Sequence, residues 1–63
     1  MTHIWVRESR DKKSYTMFCN EKPQREQGEA VYYIGKVEDQ KQYDKVSYLN
    51  GRASIYELIQ LLK

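Results

Sequence analysis

The residue types best suited to covalent chemistry in this chain are a thiol and an imidazole, Cys19 and His3, each the only one of its kind among 63 residues. A thiol attacks as the thiolate, and a nearby imidazole is the usual means of generating it. A working site also needs a third group to orient the base, and no segment supplies one at a recognisable spacing. The sequence instead predicts Cys19 as a small buried hydrophobe at the core's edge and His3 as a solvated residue at a strand end. Glu38-Asp39 is the one pair of adjacent carboxylates. Successive side chains of an extended segment point apart, so the pair is expected in a solvated turn. Gly28, Gly35 and Gly51 are isolated from one another, unlike the clustered glycines of a phosphate-binding loop. A structural zinc site takes about four ligands, and Cys19 and His3 are the only soft ones. No catalytic residue, metal or cofactor is expected, and the chain reads as a non-enzyme.

Binding chemistry is better supplied. Six tyrosines, one tryptophan and one phenylalanine make up 13% of the chain. Such rings bring large contact area with few rotors, and Tyr and Trp add a polar tip. Trp5, Arg7, Phe18, Tyr32, Ile34 and Lys36 are expected to form one binding face. The leading expectation is a small protein-binding module, a regulator or inhibitor of a larger protein, whose partner is that protein or a second copy in a homodimer. The alternative is an RNA or single-stranded DNA module, in which Trp5, Phe18 and Tyr32 stack bases while Arg7 and Lys36 track phosphates. The signature glycine–aromatic segment of RNA-recognition domains is absent. Net charge is only +2, from 11 basic and 9 acidic residues. Acidic residues are interspersed with every basic cluster, which favours protein over nucleic acid.

These side chains must be positioned by a few short elements. Residues 3–8 alternate, with Ile4 and Val6 on one side and His3, Trp5 and Arg7 on the other, as in a strand. Arg10-Asp11-Lys12-Lys13 reads as a polar turn, and residues 14–19 read as a second strand completing a hairpin. Residues 20–29 contain the only proline and little else that is apolar; they are expected to form a mobile polar loop. Val31-Tyr32-Tyr33-Ile34-Gly35-Lys36-Val37 is the strongest strand signal, with Gly35 marking a bulge or a close backbone approach. Residues 44–49 alternate once more and suggest a fourth, weaker strand. Asn50-Gly51 turns the chain into a C-terminal helix over 54–63. That helix starts at the capping box Ser54-Ile55-Tyr56-Glu57 and carries the stripe Ile55, Leu58, Ile59 and Leu62.

The expected architecture is therefore α+β: a small antiparallel sheet of about four strands, order β-β-β-β-α, packed on one C-terminal helix. The predicted core comprises Ile4, Val6, Met17, Val31, Tyr33, Val37, Val46, Tyr48, Ile55, Leu58, Ile59 and Leu62. The opposite face then carries His3, Trp5, Arg7, Thr16, Phe18, Tyr32, Ile34, Lys36 and Leu49. One helix covers one face only, so this second face is either an interaction surface or is enclosed by curling of the sheet. A 63-residue domain buries only about 60% of the surface its unfolded chain exposes, which adds to the case for a partner. No segment approaches the length of a membrane span and no signal peptide is recognisable, so a cytoplasmic protein is expected.

Overall fold

A computed structural model describes all 63 residues. Three strands, β1 (Thr2–Glu8), β2 (Tyr15–Cys19) and β3 (Ala30–Val37), precede two helices, α1 (Gln40–Leu49) and α2 (Ile55–Leu61). The sheet order is β2-β1-β3 and both pairings are antiparallel. β1 is central, and its alternation places Ile4 and Val6, both fully buried, on one face. The hairpin turn into β2 is organised by Asp11, whose Oδ1 accepts from the Ser9 hydroxyl (2.6 Å) and the Lys13 backbone N–H (3.0 Å). The Ser9 hydrogen bond, with that from Lys13, holds the Asp11 carboxyl below its ordinary pKa.

The expected fourth strand is a helix. Residues 44–49 belong to α1, which begins at Asp39, whose carboxylate accepts from the Gln42 N–H (2.8 Å). The Gln42 side chain in turn accepts from the Glu38 N–H (2.9 Å), so side chains satisfy one of the helix's leading donors and the N–H just before the cap. Val46 and Leu49, one turn apart, face the core, and Val46 is buried. Tyr48, which a strand would have turned inward, stands 66% exposed. The alternation of Asp44, Val46 and Tyr48 suits a strand, yet the same stretch supports a helix once Asp39 caps it.

In α2, Ser54 and Glu57 form a complete capping box, with Glu57 N–H to Ser54 Oγ at 3.1 Å and Ser54 N–H to Glu57 Oε1 at 3.2 Å. Both helices lie against one face of the sheet. The core there is Ile4, Val6, Ile34, Val37, Val46 and Leu58, with Met17, Leu49, Ile55, Ile59 and Leu62 packed around it. Of the other residues expected inside, Tyr33 is exposed and Val31 is half-buried opposite Arg7.

The register of β3 explains those two. Ile4 is opposite Gly35, but Trp5 is opposite Tyr33, so Ile34 is an extra residue in the ladder. At such a bulge two residues face one, and the alternation reverses beyond it. Ile34 and Gly35 thus both face the helices, and an added Cβ at Gly35 would stand 3.0 Å from Leu62 Cβ.

Candidate functional site

On the side of the sheet away from the helices, β1 presents His3, Trp5 and Arg7, because Ile4 and Val6 are turned into the core. Directly opposed residues of an antiparallel pair share a face. β2 therefore places Phe18 beside Trp5 and Thr16 beside Arg7. From β3 come Tyr33 beside Trp5, Val31 beside Arg7 and Lys36 beside His3. The rings of Trp5 and Tyr33 meet edge to face, centroids 4.8 Å apart at 60°. The Tyr33 hydroxyl is hydrogen-bonded to His3 Nδ1 at 2.8 Å. The Arg7 guanidinium lies 5.1 Å from the Phe18 ring centroid.

Four of the six expected face residues, Trp5, Arg7, Phe18 and Lys36, are thus brought together. Two are not. Ile34 is buried among the helix-side residues, and Tyr32, opposite Val6, projects to the helix side of the sheet. The bulge moved both, and it put Tyr33 where Tyr32 was expected. Gly35 was the available signal for Tyr33. A bulge read as a reversal of phase, rather than as a local irregularity, places Tyr33 outward.

The face is also not open. β2 ends beside the start of β1, and β3 begins beside its end. The chain must therefore travel the length of β1 between them, and the helices occupy the other side. Asn20 starts this strap. It is tied to His3 twice, by His3 N–H to Asn20 Oδ1 (2.8 Å) and Asn20 N–H to the His3 carbonyl (2.7 Å). Its positive φ of 59°, a conformation Asn tolerates, turns the chain out of the sheet. Lys22 Nζ then lies 5.8 Å from the Trp5 ring centroid, and Arg7 donates to the Gln24 carbonyl at 3.3 Å. Positions 20, 22 and 24 thus follow positions 3, 5 and 7 of β1. Pro23, between the last two anchors, is buried. A turn at 26–29, with Gly28 at φ 86°, returns the chain to β3, where Glu29 pairs with Arg7 at 3.7 Å. Segment 20–29, for which mobility was expected, contains no helix or strand and is held over the aromatic face at these points.

The strap divides the face. Trp5 and Phe18 beneath it are half-buried, whereas His3, Tyr33 and Lys36 beyond it are exposed, Tyr33 by 46%. Three of its cations are engaged: Arg7 by Glu29, Gln24 and Phe18, Lys22 by Trp5, and Lys36 by Glu38 at 3.6 Å. A groove of about 740 Å³ is lined by Lys22, Pro23, Gln24 and Arg25 of the strap and by Ala30 and Val31 of β3.

The expected solvated pair Glu38-Asp39 has other work: Glu38 pairs with Lys36, and Asp39 caps α1. Cys19 is exposed rather than buried. It lies opposite Ile4 and hence on the helix side, with its Sγ 4.0 Å from the Tyr43 hydroxyl. That contact raises the Tyr43 pKa above its ordinary value. His3 and Cys19 therefore project from opposite faces of the sheet. No group of three or more His, Cys, Asp or Glu side chains is placed to hold a metal ion, and no helix is long and apolar enough to cross a membrane. No protein-family model matches the chain, and neither a curated protein nor a solved structure was found to be similar to it.

Proposed function

We propose that this chain is a small, non-catalytic protein-binding module, a regulator or inhibitor of a larger protein, which docks through the exposed aromatic end of the strap-side face. The observation that carries this reading is the His3–Tyr33–Trp5 cluster. Tyr33 is held in place by an edge-to-face contact on one side and a hydrogen bond on the other, yet nearly half its surface is open. A rigid, partly exposed tyrosine offers a partner large contact area at little entropic cost. Lys36 and Lys22 supply a polar rim around it.

The base-stacking alternative is less favoured by the same geometry. Lys22 stands over Trp5 and Arg7 over Phe18, and Tyr32 is on the other side of the sheet. Three rings that would have to stack bases are not available together, and Arg7, Lys22 and Lys36 each have a partner within the chain.

Affinity capture from a host extract, with quantitative mass spectrometry, tests the reading. Tyr33→Ala should lose most of the captured partner, because buried aromatics dominate such interfaces. Lys36→Ala should retain it, since rim charges mainly tune the association rate. Equal capture by the wild-type chain and Tyr33→Ala would refute the assignment.

A further inference from the structure

β3 is an edge strand with an unpaired side. Its only strand partner is β1, and none of the backbone hydrogen bonds outside the regular elements involves residues 30–37. Natural edges are blunted by shortness, proline, lysine or a bulge. β3 has eight residues and no proline, and its lysine and its bulge both fall in the C-terminal half. The segment from Ala30 to Tyr33 has none of these devices. Its two tyrosines project to opposite sides of the sheet and are both exposed, Tyr32 by 40% and Tyr33 by 46%. β2, the other edge, offers only five residues.

We propose that β3 pairs antiparallel with β3 of a second copy, about a two-fold axis through Tyr32, to give a continuous six-stranded sheet. The register follows from which face each residue occupies, because opposed residues must share one. With Tyr32 opposite its own copy, Val31 meets Tyr33 on the strap side and Ala30 meets Ile34 on the helix side. Five residues then match. Centring the axis on Val31 or Tyr33 matches only three within the strand, since beyond that the pairing runs off its end or crosses the bulge. The segment is thus complementary to itself, and it sets a β-branched side chain against an aromatic one, a favourable cross-strand pair. Such a contact buries less than the roughly 1,200–2,000 Å² of a standard interface, so the dimer is weak and dependent on concentration. An axis perpendicular to the sheet leaves both strap-side faces on the same side. The dimer therefore presents two His3–Tyr33–Trp5 clusters in one direction, whatever docks there.

Sedimentation equilibrium over a concentration series tests the pairing. The wild-type chain should dimerise at high micromolar concentration. Tyr32→Lys and Tyr32→Glu each place like charges opposite one another at the axis, and each should weaken dimerisation roughly tenfold or more. An equimolar mixture of the two should restore it, because lysine then faces glutamate. Recovery in the mixture also excludes misfolding as the reason for loss. A monomeric wild type, unchanged dimerisation of the single variants, or a mixture that stays monomeric would overturn the proposal.

Discussion

The Tyr15 hydroxyl joins two parts of the chain far apart in sequence. It donates to the Ala53 carbonyl at 2.6 Å and accepts from the Gly51 N–H at 3.0 Å, so the turn between α1 and α2 is fastened to β2. Leaving partly buried backbone groups unpaired costs about 1–2 kcal/mol. Tyr15→Phe keeps the ring, and it should lower the thermal midpoint by about 4–8 °C per kcal/mol lost in a domain of this size. An unchanged midpoint in calorimetry would mean that water satisfies the turn instead. At this scale the sequence was informative about composition and about pairing within one turn, and uninformative about pairing at longer range. The abundance of rings was visible in it. Which of six tyrosines has a structural hydroxyl depends on where the helix turn falls, which no local pattern states. Ser54 and Glu57 were legible as a capping box because both partners lie within one turn of sequence. Exposure of Cys19 was not, because it depends on how far α1 reaches over the edge strand β2.

Among the elements, β3 controls the site through one residue. Gly35 has φ 148°, a conformation that side chains disfavour, and its missing Cβ leaves room for Leu62. Gly35→Ala should cost about 1–3 kcal/mol in backbone strain, with close contact to Leu62 adding to it. The wider consequence is for register. Relief of the strain by loss of the bulge would turn Tyr33 inward and withdraw it from His3 and Trp5. Denaturant unfolding measures the first effect, and loss of the Tyr33–His3 proximity in nuclear magnetic resonance reports the second. A glycine in a β-branched run flagged the bulge, but alternation carried straight through it misplaced Val31, Tyr32, Tyr33 and Ile34 together, as a one-residue slip must. The error over residues 44–49 has a different cause. Six residues are too few to separate a period of 2 from one of 3.6, and the capping signal that decides it, Asp39 with Gln42, lay inside a stretch that read as a plain polar turn.

For the whole molecule, the consequence of the strand order is that one face of a three-stranded sheet is covered by two helices and the other in part by a strap anchored through Asn20, Lys22, Pro23, Gln24 and Glu29. The hairpin and the closing helix were legible from sequence because their contacts are local. The crossing of the strap was not, since it follows from β1 being central, and single-chain periodicity says nothing about strand order. Its ten residues carry no apolar stripe, and what sets them against β1 is one buried proline and a few polar contacts. This arrangement bears on the central claim, that the strap-side face serves protein partners and not nucleic acid. Lys22 stands over Trp5, and Arg7 and Lys36 pair with Glu29 and Glu38, which under the proposed reading disfavours base stacking and phosphate contacts at these residues. Trp5 is the sole tryptophan, so its fluorescence reports this face alone. The most direct measurement is a titration of that fluorescence with mixed-sequence single-stranded DNA and RNA at low salt. The account predicts no appreciable quenching; micromolar quenching that vanishes as salt rises, the signature of counterion release, would contradict it.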